Sequence, residues 1–223
     1  MRVLTREEIE RLFSHAPDYY RTLIATALFT GLRIGELLGL VWADVDFDAG
    51  LVRVRKQLDP GRRGQPPARV EPKTTQAIRA VVLMPELAEL LREHRRRLLA
   101  AGLARPDGFV FASATGGPLQ RGNVVRRGLD KAVKRAGLAT AGMPRLRFHD
   151  LRHTYASLLI AQGLNVVFVS RQLGHATPAI TLTVYAHLFD HAHHAQAARS
   201  ASKQASEPFW SSQSQVPRER PGT

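Results

Sequence analysis

The chain has 223 residues, 44% of them hydrophobic, which suffices for one domain with a sizeable core. Lys and Arg number 32 against 19 Asp and Glu, and the formal charge of +13 points to a polyanionic partner. There is no cysteine, which excludes disulfide and thiolate chemistry, and no apolar run nears the roughly 20 residues of a membrane span.

Thr5 reads as a helix N-cap, with Glu7 and Glu8 in the first turn and Ile9, Leu12 and Phe13 at helical spacing. A second helix is expected over about 18–30, broken by Gly31, and a third over about 33–39. LVRVRK (51–56) alternates as a strand does, and QLDPGRRGQPPA (57–68) reads as a Pro/Gly turn region. ARVEPK (68–73) and AIRAVVL (77–83) suggest two further strands, so 51–83 is expected to form a small antiparallel sheet.

Residues 85–99 predict a strongly basic helix, DGFVFAS (107–113) an extended segment and TGGP (115–118) a turn. A helix over 123–136 carries Arg127, Lys131 and Lys134 on one face, which reads as a solvated surface or a DNA contact. Three closely spaced helices are expected over 150–161, 165–173 and 178–187. An Ala-rich segment near 191–206 is predicted helical, and 207–223, with Phe209 and Trp210, reads as a loose tail. The expected fold class is mainly α with a small antiparallel β-sheet. No signal segment opens the chain, and a cytoplasmic location is expected.

Four stretches carry chemistry: TGLRIGEL (30–37), EPKTTQAIRAVVL (71–83), RFHDLRHTYAS (147–157) and RQLGHATPAITLTVYAHL (171–188). His149 and Arg152, at i and i+3, project from one side of a helix start. Guanidinium is always charged and forks onto phosphate oxygens, while imidazole exchanges a proton near neutral pH. A tyrosine is a usable nucleophile once its phenol, of pKa about 10, meets a base or a cationic surround.

In order and interval these stretches resemble the catalytic domain of the tyrosine recombinases, or phage integrases, over roughly 4–190. The resemblance implies that Arg33 and Arg152 clamp a scissile phosphate and that Glu36 orients the cations. His149 then takes the proton of the nucleophile Tyr185, Lys73 protonates the leaving 5′ oxygen, and His175 hydrogen-bonds the phosphate. His153 is expected to point elsewhere and Tyr155 to be core.

Such a reaction leaves a 3′-phosphotyrosyl link and a free 5′ hydroxyl, and needs neither metal nor nucleotide cofactor. The implied partner is double-stranded DNA, bound by a dimer or tetramer of the chain, with no membrane. A type IB topoisomerase-like activity and a DNA-binding relative without catalysis are the alternatives. Family members carry a further N-terminal DNA-binding domain, and LTREEIERLF resembles the start of the catalytic domain itself. His187, His191 and His194 share a helical face at i, i+4 and i+7, but no fourth ligand or orienting partner follows them.

Overall fold

A buried helix, α2 (Asp18–Thr30), organises the computed structural model, which describes residues 1–61, 65–72, 74–140 and 142–189. Its run from Thr22 to Leu28 is inaccessible to solvent on every side. The buried hydroxyls of Thr26 and Thr30 donate to the carbonyls one turn earlier, which satisfies them without a partner outside the helix. Ahead of it, α1 (Arg6–His15) starts on a capping box: Glu8 N–H donates to the Thr5 hydroxyl, and the Glu8 carboxylate accepts from Thr5 N–H.

At the far end of α2, Gly31 adopts φ 62°, and a Cβ there would lie 2.4 Å from the Tyr155 ring. Only glycine satisfies both demands. The chain then enters the short α3 (Ile34–Leu38).

Two antiparallel sheets replace the single one expected. β1 (Val45–Asp46), β2 (Leu51–Val54) and β5 (Arg79–Val82) form one in the order β1-β2-β5, with Val52 opposite both Val45 and Val81. β3 (Gln57–Asp59) and β4 (Ala68–Val70) form a separate hairpin. Residues 57–59, assigned to a turn from their composition, are thus a strand.

α4 (Pro85–Ala100) begins with Pro at its first position, as expected for a residue without an N–H. The stretch over 121–135 is helical but not uniformly α: α5 (Arg121–Asn123) and α6 (Asp130–Arg135) flank a π-helical segment, Val124–Leu129. Three helices then follow: α7 (Phe148–Ala161), α8 (Val166–Leu173) and α9 over residues 178–189.

α2 packs against α1, α4, α7 and the π segment, and the larger apolar core surrounds it. A smaller cluster joins Tyr155, Ala156 and Ile160 of α7 to Val169 and Leu173 of α8 and Tyr185 of α9. Among the described residues, no helix is long and apolar enough to cross a membrane. The expected helical segment and tail beyond residue 190 lie outside the described residues.

Candidate active site

Three chain segments bring guanidinium groups to one place. Arg33 occupies the N-cap of α3. Glu36, one turn later, caps the helix by accepting from Arg33 N–H at 2.8 Å and from the Arg33 guanidinium at 3.0 Å. The same carboxylate, 1% exposed, takes two bonds from Arg79 on β5, at 3.0 and 2.9 Å. Burial raises the Glu36 pKa, but the hydrogen bonds and charge of Arg79, then those of Arg33, outweigh it and hold the net value below the ordinary range.

Arg152, on α7, is 3% exposed. It donates to the carbonyls of Gly31, at 2.7 Å, and Leu173. Arg33 reaches the next carbonyl in the same turn, Gly174 at 3.3 Å. The two guanidinium groups therefore bracket the 31–33 loop and the 173–174 turn. Burial, then the Arg33 charge, pushes the Arg152 pKa down to about 9, which still leaves it charged at neutral pH. Two of its five N–H donors are spent on carbonyls, and three are left to serve an incoming acceptor.

His175 follows Gly174, which ends α8 at φ 64°. Its backbone N–H donates to Ser170, closing the helix end in a Schellman-type turn. A Cβ on Gly174 would lie 2.8 Å from the Arg79 guanidinium, so this turn rests directly on Arg79. The imidazole Nδ1 lies 2.8 Å from the buried hydroxyl of Thr181, which fixes the ring and leaves Nε2 as the free nitrogen. Burial, then Arg152 and Arg33, lowers the His175 pKa to about 4, so the ring is neutral at pH 7.

Tyr185 lies one turn after Thr181 on α9 and is 1% exposed. Its hydroxyl meets Nδ1 of His153 at 2.6 Å. This corrects the expectation that His153 points away from the site. His153 lies at i+4 from His149, only about 40° around the helix, and the two rings meet edge to face at 4.8 Å. Burial, then His149, lowers the His153 pKa to about 4. Burial likewise pushes Tyr185 up to about 12, and Arg152 pulls against it. His149 keeps an exposed face, and desolvation of the rest of its ring, then Arg152 and Arg33, lowers its pKa.

Arg33, Glu36, Arg152, His175, His149 and Tyr185 thus belong to one connected neighbourhood. Lys73 lies outside the described residues. Sequence reasoning missed Arg79 and His153. The first was visible only as an arginine heading a strand, and the second by its i+4 spacing from His149. Tyr155 is core as expected, with its hydroxyl 3.3 Å from the Gln172 side chain.

In this cluster three guanidinium groups face a single carboxylate, and Arg152 has no acidic partner among the described residues. Buried unpaired charge is costly unless a ligand compensates it. The arrangement is suited to an anion that accepts several charge-assisted hydrogen bonds.

Arg127, Lys131 and Lys134 lie elsewhere. With Tyr19, Tyr20 and Arg126 they line a groove of about 710 Å³ at the opposite end of α2 from Gly31. Asp130, also in that groove, is paired with Arg145 at 2.9 Å. Among the described residues, no group of three or more His, Asp or Glu is placed to hold a metal ion. His191 and His194 lie outside the described residues, and His187 is exposed.

The sequence profile of the phage integrase family matches residues 2–192. A XerC-like tyrosine recombinase from Caldanaerobacter subterraneus subsp. tengcongensis is 35% identical over 198 residues, covering 82% of this chain and 49% of the relative. Prophage integrase IntR of Escherichia coli K12 is 30% identical over 200 residues, covering 82% and 46%. The chain spans about half the length of the curated relatives it matches. Among solved structures, the Tn1549 transposon integrase in complex with a circular intermediate DNA aligns at a TM-score of 0.74 and 25% identity, over 89% of this chain and 65% of that one. XerA recombinase aligns at 0.67 and 25%, over 90% and 65%.

Proposed function

The chain belongs to the phage integrase family, and we propose that it carries out site-specific recombination of double-stranded DNA through a covalent tyrosyl intermediate. Tyr185 attacks the scissile phosphorus, a 5′ hydroxyl departs, and the hydroxyl of a partner strand reverses the step. Arg33 and Arg152 hold the non-bridging oxygens, where charge gathers in the transition state, and His175 adds a hydrogen bond through Nε2. Glu36 keeps Arg33 in place. Lys73 protonates the leaving oxygen, the role that the resemblance assigns to it. The Tn1549 integrase was solved with DNA, and its likeness to this chain supports DNA as the partner.

One observation carries this reading: Arg152 is buried, charged and without an acidic partner among the described residues, beside a second arginine and a neutral imidazole. A phosphodiester anion compensates that charge and accepts from all three. The groove of Arg127, Lys131 and Lys134 serves the same duplex away from the cleaved phosphate. Assembly as a dimer or tetramer on DNA and a cytoplasmic location belong to the same reading.

The test uses a library of nicked duplexes of randomised sequence, incubated with the protein and resolved on a denaturing protein gel. The expected result is a shifted covalent band that is absent in Tyr185→Phe. A wild-type protein that forms no adduct with any member of the library overturns the proposal.

A further inference from the structure

The phenol oxygen of Tyr185 touches one hydrogen-bonding group among the described residues, Nδ1 of His153 at 2.6 Å. It is enclosed by the apolar cluster of Tyr155, Ala156, Ile160, Val169 and Leu173. With no other acceptor among those residues, the phenol O–H donates and the imidazole nitrogen accepts. The ring therefore carries its proton on Nε2. His149 makes no such contact. It meets the His153 ring edge to face, and the His153 and Tyr185 rings lie 5.7 Å apart.

We propose that His153, rather than His149, takes the proton of Tyr185 as its oxygen bonds to phosphorus, and returns that proton when the strand is rejoined. The inference rests on the recombinase reading and refines the assignment of its base. In the forward step the phenol O–H bond breaks, the proton passes to Nδ1, the O–P bond forms and the bond from phosphorus to the 5′ oxygen breaks. The leaving oxygen is protonated by a separate acid, the role given to Lys73. In the reverse step a 5′ hydroxyl gives its proton back to that acid as it attacks, and the departing tyrosyl oxygen takes its proton from the imidazolium. His149 acts through His153 as a positioning residue, because the two rings pack at right angles 4.8 Å apart.

The groups that face His153 are consistent with this. His149, Asp150 and Arg152 lie on its own helix, Tyr185 comes from α9, and the amino group of Met1 comes from the start of the chain. Burial and the neighbouring His149 leave the ring weakly basic, near 4, against a phenol near 12. A proton does not cross that gap before attack. It moves as the forming O–P bond makes the phenol acidic, and a weakly basic ring gives it back readily.

The experiment measures single-turnover cleavage of nicked duplexes recovered as adducts from the randomised library. His153→Ala is expected to lose about 100-fold or more in rate, within the range for a lost general base. His153→Asn keeps an acceptor toward the phenol but cannot take its proton, and is expected to be comparably slow while melting like the wild type. Placing 3,5-difluorotyrosine at position 185 lowers the phenol pKa and removes much of the need for a base. It is expected to restore at least about tenfold in His153→Ala, a rescue that a purely structural role does not give. A His153→Ala protein that cleaves within about threefold of wild type overturns the inference, as does a folded one that the fluorinated phenol fails to rescue. Absence of an adduct with the wild type instead overturns the recombinase reading itself.

Discussion

Arg79 lays two guanidinium nitrogens on the two carboxylate oxygens of Glu36, at 3.0 and 2.9 Å, across 43 positions of sequence. The pair joins β5 to α3. Because Glu36 also holds Arg33, and Arg79 also donates to the Gln172 carbonyl at 2.8 Å, it links the loop that follows α2 to the turn that presents His175.

Glu36→Gln leaves two arginines beside a neutral side chain in a buried site. The expected loss is about 3–5 kcal/mol of unfolding free energy, read as a lowered urea midpoint. Because Arg79 and Glu36 are in contact, Glu36→Gln combined with Arg79→Met is expected to lose less than the sum of the two single losses. Strict additivity contradicts the coupling described here.

Gly31→Ala meets both a left-handed φ of 62° and the Tyr155 ring at 2.4 Å. We expect a destabilisation above about 2 kcal/mol by thermal unfolding, and loss of DNA cleavage because the Gly31 carbonyl holds Arg152. A variant as stable as wild type argues against the close approach.

Arg152→Lys removes a planar fork and leaves at least one of the Gly31 and Leu173 carbonyls without its donor. Cleavage is expected to fall about 100- to 1,000-fold while DNA affinity changes far less, since the lost interaction matters most in the transition state. Equal losses in affinity and rate indicate ground-state binding alone.

His153 and His175 both sit near 4, against an ordinary 6.5. As pH falls from about 6.5 the unfolded chain takes up protons before the folded one does. Their contribution to stability is therefore complete above about 6.5 and declines toward pH 4, by a few kcal/mol in all. Denaturant titrations of His153→Gln/His175→Gln are expected to show a flatter dependence over that window. A slope equal to the wild type shows that these rings are not the source.

Arg127→Gln/Lys131→Gln/Lys134→Gln removes three cations from the groove beside Tyr19 and Tyr20. Fluorescence anisotropy at several salt concentrations is expected to show weaker DNA binding and a shallower salt dependence, by roughly 0.9 per lost phosphate contact. An unchanged slope removes this groove from the interface.

Much of the architecture was legible because its signals are local. The Thr5–Glu8 box marks the start of α1, Gly31 and Gly174 mark helix ends, and apolar spacing marks α2 and α7. The β3–β4 hairpin was hidden because each strand has only three residues and its composition matches a turn. The π segment was hidden because the helical spacing read over 123–136 does not separate a single π turn at Val124–Leu129 from an α turn. Among site residues, Arg33, Glu36 and Arg152 were readable from their motifs. His153 was misread because its adjacency to Arg152 outweighed its spacing from His149. The role of Arg79 depends on a partner brought to it by tertiary packing, which no short stretch of sequence displays.

α2 carries the Arg152-binding loop at one end and the tyrosine-lined groove at the other. Its 13 residues span about 20 Å at 1.5 Å per residue. On the proposed reading, a duplex that touches both ends climbs about 3.4 Å per base pair, so the separation matches about six base pairs. Such a duplex is protected on its flanking backbone about half a turn of DNA from the broken strand, whatever the base sequence between.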